Sequence, residues 1–310
     1  MKPTHVAPLP MRDGVGPGCV VLPAGPWRLV LDFLSERFTN VPRAEIEARM
    51  VRGDIVDALG QQISPAQRYS PHLTLYYYRA ISDEARIPFE EEVLFQDDYL
   101  VAVDKPHFLP VTPSGHYLQE TLLVRLIRKL GIDTLAPMHR LDRETAGVML
   151  FTVQPTLRGH YQTLFTRRTI TKHYEAIASY RSDLTFPLTR RSRLVRGEPF
   201  IRMRETNPDE AGSANAETRI ELLARLPGDN LAHYRLTPET GKKHQLRVHM
   251  AALGLPIRYD TLYPVAYSDA EMTETAYRKP LQLLARQIAF ADPITGQARQ
   301  FTSRRQLQVT

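Results

Sequence analysis

Met138-His139-Arg140-Leu141-Asp142-Arg143-Glu144-Thr145-Ala146-Gly147 runs directly into the apolar stretch Val148-Met149-Leu150-Phe151-Thr152-Val153. A charged cluster thus abuts a segment that reads as a buried strand. Reactive groups are commonly held at such strand ends by the rigid scaffold behind them, and Gly147 frees the backbone for a sharp entry into the strand. Asp142 is therefore expected to be partly enclosed. An enclosed carboxylate must be paired or it takes up a proton, and cations at Arg140, Arg143 or elsewhere would keep it ionised. An ionised, positioned Asp can act as a nucleophile. On residue types alone, catalysis and a structural salt bridge fit this cluster equally well.

Outward from this stretch, Leu100–Val103, Tyr174–Ala178, Ala216–Leu223 and Leu231–Thr237 also read as strands, while Gln119–Leu130, Pro155–Phe165 and Lys243–Leu253 read as helices, the last ended by Gly254. Runs of strands broken by a few helices predict an α+β fold with a mixed, largely antiparallel central sheet. We assign this domain to residues 82–310, entered through an acidic linker from Ser82 to Glu92. Residues 1–26 carry Pro3, Pro8, Pro10, Pro17, Pro23 and Pro26 and are expected to form an irregular arm. Between them, residues 27–81 show helical rhythm over Trp27–Phe38 and Ala44–Val51, then strand-like runs at Gly53–Asp57 and Leu73–Tyr78. That order of elements resembles a degenerate S4-like RNA-binding domain. The resemblance implies that Arg43 and Arg49 of the second helix face nucleic acid, with the family's glycine turn standing here as Asp57-Ala58-Leu59-Gly60.

The chain has 40 Lys and Arg against 34 Asp and Glu, a formal net charge of +6, and the charge is segregated. From Arg158 to Arg204 there are eleven basic residues against Glu175, Asp183 and Glu198, whereas Asp83 to Asp98 carries seven acids against Arg86. Such a distribution suits a polyanion gripped by one face and repelled by another, and it equally suits a solvated surface. The single Cys19 can form neither an internal disulfide nor a cysteine zinc site, which fits a reducing compartment. Apolar runs fall short of the roughly 18–20 residues of a membrane span, and no apolar signal segment follows Lys2. The expectation is a cytoplasmic monomer without a membrane partner, there being no heptad or internal repeat to drive association.

Two further clusters stand out. In Thr240-Gly241-Lys242-Lys243-His244-Gln245-Leu246-Arg247-Val248-His249, Thr240 is the expected helix N-cap, which would place Lys242 and Lys243 at an anion-welcoming end. His244 and Arg247, three apart, would share one face and could reach a carboxylate from another loop. In Lys172-His173-Tyr174, entering a strand, Lys172 and Tyr174 point to one side, an aromatic beside a cation that suits a stacked nucleobase. Taken singly, such an Arg is more often a structural ion pair and such a Tyr more often core packing.

Taken together, the clusters resemble the pseudouridine synthases of the RluA type. His139 to Gly147 matches the family's His-Arg-Leu-Asp-x-x-Thr-Ser/Ala-Gly segment, Lys172 to Tyr174 its Lys-x-Tyr, and Gly241 to His249 its Gly-Arg-Thr-His-Gln-Ile-Arg-Val-His. Val103-Asp104-Lys105-Pro106 and the Leu-rich segment Leu281 to Gly296 also fit, so the likeness spans roughly residues 90–305. It departs at Lys242-Lys243 in place of Arg-Thr, at Arg258-Tyr259-Asp260 in place of a Gly-Asp turn, and at Leu284, often His.

The resemblance implies an isomerase that converts RNA uridines to pseudouridine without metal or organic cofactor. It casts Asp142 as the essential carboxylate, Arg247 as its ion-pair partner and Tyr174 as the stacking residue. His139, Arg140, Lys172, Lys242, Lys243 and His244 would contact the substrate. Ribosomal RNA of the large subunit is the expected target, from the S4-like segment, with tRNA the alternative. A non-catalytic RNA-binding factor would need the basic face but not the Asp, Tyr and Arg set. A metal-dependent nuclease built on His139, Asp142, His244 and His249 would need a metal.

Overall fold

The computed structural model describes residues 7–79, 84–207, 209–227, 230–265 and 277–308. Residues 1–6 of the expected arm and 82–83 of the expected linker lie outside them. The chain divides into two compact units: one of residues up to Ala85 with Pro113–Glu120 and Val124–Asp133, the other of Arg86–Thr112, Thr121–Leu123 and residues from Thr134 onward.

The first unit holds β1 (Gly18–Val21), α1 (Val30–Arg37), α2 (Arg43–Val51), β2 (Ile55–Asp57) and β3 (Thr74–Tyr77), with an antiparallel sheet in the order β1-β3-β2. Val20, Leu22, Val30, Leu34, Ile46, Met50 and Leu75 form its core. Strand β1 lies in the stretch expected to be irregular. Cys19-Val20-Val21-Leu22 is an apolar run between prolines, and at a sheet edge those prolines break no ladder on the open side. Arg43 and Arg49 each face an acid, Asp32 at 2.8 Å and Glu45 at 2.8 Å.

The second unit holds β4 (Glu92–Gln96), β5 (Leu100–Lys105), the first residues of α3 (Leu122–Leu130), β6 (Ala136–Pro137), β7 (Ala146–Thr152), α4 (Arg158–Thr166), β8 (Thr171–Ser179) and β9 (Leu188–Ser192). It continues with β10 (Leu194–Arg196), β11 (Met203–Glu205), β12 (Ala216–Arg225), β13 (Leu231–Pro238), α5 (Gln245–Ala252), β14 (Leu283–Ala291) and β15 (Ala298–Thr302). Ten of these strands make one sheet in the order β4-β5-β7-β14-β8-β13-β12-β9, with β6 beside β7 and β15 beside β14. Among the described residues only β7 and β14 pair in parallel, so the sheet is mixed and largely antiparallel, as the strand spacing predicts.

That parallel pair explains Gly147. Its φ is +113°, and a Cβ there would stand 2.2 Å from the Ala285 carbonyl oxygen on β14. No side chain fits, so the sharp entry into β7 and the close approach of β14 both depend on glycine. Apolar residues of β8, β12 and β13 (Ala176, Ile220, Tyr234, Leu236) pack with Leu246 and Met250 of α5. A second cluster joins Leu100, Leu150 and Ile288 to Tyr161 and Leu164 of α4. These cores hold the two sides of the site described next. Among the described residues, no helix is long and apolar enough to cross a membrane.

Candidate active site

A hollow of about 330 Å³ opens between the loop before β7, the start of β8 and the loop before α5, within the about 300–1,000 Å³ usual for small-ligand sites. All nine residues named from the sequence, His139, Arg140, Asp142, Lys172, Tyr174, Lys242, Lys243, His244 and Arg247, line it. They do so in three different ways.

Asp142 sits at the floor with its side chain 21% exposed. The Thr145 N–H donates to its carbonyl at 3.1 Å, which closes the loop into a turn before β7. Its carboxylate lies 3.7 Å from Arg247 Nη1 through one oxygen and 3.7 Å from His244 Nε2 through the other. Both distances exceed a hydrogen bond. The carboxylate thus faces the Arg247 cation and the His244 ring while its lone pairs stay open to the hollow.

Arg247 differs from expectation in its principal partners. Its guanidinium, buried in the protein, forms a bidentate pair with Asp260 at 2.8 and 2.6 Å and a 2.9 Å contact with Glu144. Desolvation alone would lower its pKa, but the Asp260 hydrogen bonds and the charges of Asp260, Glu144 and Asp142 outweigh it and raise the value. One cation serves three carboxylates, and Asp142 is the most distant. Asp260 is itself fixed, accepting the Leu262 and Tyr263 N–H groups at 2.8 and 3.0 Å. Tyr259, where the resembling family favours glycine, takes a left-handed φ of 63° and so preserves the turn that presents Asp260. Glu144 and Asp260 were not singled out from the sequence. The signal available was that a fully buried guanidinium needs more than one partly exposed partner.

Behind the loop, Lys105 is wholly buried and donates to the carbonyls of Pro106, Leu109 and Arg143 at 2.9, 2.8 and 3.0 Å. Burial pushes its pKa down to about 7, against the opposing pull of the Asp142 charge. His107 Nδ1 meets the Glu144 carbonyl at 2.6 Å. The Asp-Lys-Pro-His segment at the end of β5 is therefore a brace for the Asp142 loop.

Tyr174 and Lys172 alternate on one face of β8, as the two-residue period requires. Burial raises the Tyr174 phenol pKa, and the Asp142 charge adds to the rise, so the phenol is protonated at neutral pH. Burial also lowers the Lys172 pKa. His139 is less a ligand group than a wall: its Nε2 accepts the Leu150 N–H at 3.2 Å, and its ring stacks on Phe165. Burial drops its pKa to about 3, so the ring is neutral.

The loop before α5 is built differently from the sequence expectation. Thr240 does not cap the helix. The helix starts at Gln245, and His244 precedes it with a left-handed φ of 55°. Gln245 holds the loop instead: its Oε1 accepts the Thr240 hydroxyl and the Lys242 N–H, and its Nε2 donates to the Glu217 carbonyl. A polar side chain reaching backward takes the place of a cap. Lys242, Lys243 and Arg140 stand exposed at the rim, and none is ion-paired within 4 Å among the described residues. The hollow therefore joins a neutral aromatic wall, the Asp142 carboxylate and a cationic mouth.

Comparison with known proteins agrees with this chemistry. Residues 99–252 match the family model described as RNA pseudouridylate synthase. The chain is similar to the dual-specificity RNA pseudouridine synthase RluA of Haemophilus influenzae, 31% identical over 69% of this chain and 92% of that one. It is 32% identical to tRNA pseudouridine synthase C of Pasteurella multocida, over 66% and 88%. It is 29% identical to ribosomal large subunit pseudouridine synthase D of Nitrosomonas europaea, over 66% and 59%. Among solved structures, human RNA pseudouridylate synthase domain containing 1 shares the fold, with a TM-score of 0.56 at 20% identity over 70% of this chain and 84% of that one.

Proposed function

The chain belongs to the RNA pseudouridylate synthase family and is an isomerase acting on RNA, and from that premise we propose that Asp142 carries the conversion of uridine to pseudouridine in large-subunit ribosomal RNA. The observation that supports the assignment is the convergence of Asp142, Tyr174 and Arg247 on one hollow. The target uridine is flipped from its stack into the hollow, which costs a few kcal/mol. Stacking on Tyr174 offsets that cost by about 1–3 kcal/mol.

Asp142, with no hydrogen bond to its carboxylate among the described residues, promotes cleavage of the bond between C1′ and N1. The freed uracil turns, C5 bonds to C1′, the C5 proton leaves and N1 gains one, so the product is an isomer with nothing added. A protonated Tyr174 stacks on the base and offers a hydrogen bond rather than serving as a ready base. Arg247, locked by Asp260 and Glu144, keeps a positive charge 3.7 Å from the Asp142 carboxylate.

Lys242, Lys243 and Arg140 bind backbone phosphates at the mouth. Arg196, exposed on the same unit, adds to the positive field at Lys243. On the same hairpin Phe200, 83% exposed in the loop between β10 and β11, offers an aromatic face to an unpaired base. Ribosomal RNA as substrate is supported by the S4-like order of elements in the first unit and by the similarity to the large-subunit enzyme. Similarity to the tRNA enzyme favours tRNA as a second reading. We further propose that the protein acts as a cytoplasmic monomer that needs no metal.

The test is isomerisation by the purified protein on ribosomal and transfer RNA transcripts, with pseudouridines mapped in both RNAs from a strain lacking the gene. One ribosomal site lost from the strain and restored in vitro, with intact strands and with chelator present, is the expected result. A missing tRNA site alone transfers the assignment to tRNA. Strand cleavage that needs a divalent metal overturns the isomerase mechanism.

A further inference from the structure

The polar contacts around His244 run in one direction. The Met203 N–H, at the start of β11, donates to the Tyr263 phenol oxygen at 2.7 Å, and that oxygen lies 2.9 Å from His244 Nδ1. A phenol has a single proton, and Met203 already occupies a lone pair on its oxygen. Donating that proton to Nδ1 pairs both buried groups and leaves the imidazole proton on Nε2. Nε2 is the nitrogen 3.7 Å from Asp142 Oδ1, and a carboxylate facing Nε2 favours the same tautomer.

The surroundings hold this arrangement. Tyr263 is 5% and His244 8% exposed, so water competes little for either group. Two guanidiniums approach the phenol ring, Arg202 at 5.0 Å and Arg247 at 5.5 Å from its centroid, and the His244 ring meets it edge-on. Burial raises the Tyr263 pKa and lowers that of His244, so the phenol is protonated and the imidazole neutral at neutral pH.

We propose that Tyr263 is a positioning residue for the isomerisation: it fixes His244 as the Nε2–H tautomer, aims a neutral donor at Asp142, and ties that donor to the hairpin of β10 and β11. The proposal rests on Asp142 being the catalytic carboxylate. A neutral N–H close to one oxygen orients the carboxylate without adding a second full charge beside Arg247. Such a contact is long in the free protein and tightens when substrate fills the site. With Tyr263 removed, the proton can occupy either ring nitrogen, and part of the population presents a lone pair to Asp142. The hairpin carries the exposed Phe200, and Lys243 Nζ donates to the Ile201 carbonyl at 2.7 Å. The surface offered to RNA and the imidazole are thus joined by the hydrogen bonds of Met203 and Tyr263.

The experiment uses the full chain labelled with ¹⁵N-histidine, with the His244 ring nitrogens assigned by loss of their signals in His244→Gln. The wild-type spectrum is expected to show Nε2–H. An Nδ1–H wild type overturns the proposal without any variant at Tyr263. In Tyr263→Phe, the expected result is a mixed tautomer and a single-turnover rate lower by about tenfold or more, short of the about 10⁴-fold loss seen when a charged orienting partner is removed. RNA Kd should stay within about twofold. An unchanged tautomer and wild-type rate in Tyr263→Phe, with Asp142→Asn inactive, overturns the positioning role alone. Retained isomerisation in Asp142→Asn removes the catalytic reading and the positioning role with it.

Discussion

The charges at the floor and at the rim of the hollow obey opposite rules. At the floor, Arg247 is saturated by Asp260 and Glu144, and Lys105 directs its donors to three carbonyls. At the rim, Arg140, Lys242 and Lys243 are exposed and without a carboxylate within 4 Å among the described residues. The first unit shows that exposure alone does not leave a cation free, since Arg12, Arg43, Arg49 and Arg52 there all face acids within 4 Å. Interior charges that are fully paired set geometry, whereas rim charges left unpaired are available to a polyanion. Asp142 belongs to neither group. It lies between them, near charge but, among the described residues, without a hydrogen bond to its carboxylate.

This contrast can be broken from the floor upward. Arg247→Met leaves Glu144 and Asp260 buried without their cation and should cost about 3–5 kcal/mol of stability, read as a lower denaturant midpoint. A loss below about 1 kcal/mol would mean that the triad of charges is not structural. Lys105→Met strands three carbonyls near the Asp142 loop and should cost about 1–3 kcal/mol, with a fall in turnover that outlasts any stabilising buffer.

At the rim, Arg140, Lys242 and Lys243 changed together to Ala should leave stability within about 0.5 kcal/mol. RNA binding should weaken, and on single-stranded RNA the slope of log K against log salt should fall by up to about 0.7 for each phosphate no longer neutralised. An unchanged salt slope would place the RNA elsewhere.

The smallest effect concerns pH. Glu144 has its pKa lowered below the ordinary 4.5: burial opposes the shift, but the charges of Arg247 and Arg143 prevail. A depressed folded-state value gives stability that is present above the unfolded pKa and lost as pH falls through the folded one. Glu144→Gln should therefore lower stability at neutral pH and flatten the acid limb below about pH 4.5, where wild type and variant converge. An acid limb identical to wild type would show that Glu144 is not held ionised by Arg247.

Much of this was legible in the sequence because periodicity and motif spacing report on strands with long apolar runs. β5, β7, β8, β12 and β13 all announce themselves in that way, and with them the sheet class. Short strands do not. β6 has two residues and β10 and β11 three each, too few for alternation to be seen, and β1 hides among prolines. At the site, Asp142, Tyr174 and Arg247 were visible through their segments, since each sits where a strand or helix begins. What the sequence could not rank was which acid Arg247 prefers, because Glu144 and Asp260 become its neighbours only when β7 and the turn after α5 come together in space. Thr240 misled for a related reason. A Thr before a helix reads as a cap, while the left-handed His244 and the backward reach of Gln245 are tertiary outcomes.

The most direct test of the account is Asp142→Asn, which keeps the shape and removes the charge. With RNA Kd and melting temperature measured alongside, isomerisation should fall by about 10⁴-fold or more while binding stays within about threefold of wild type. Isomerisation within tenfold of wild type in a folded, RNA-binding Asp142→Asn protein would contradict the account.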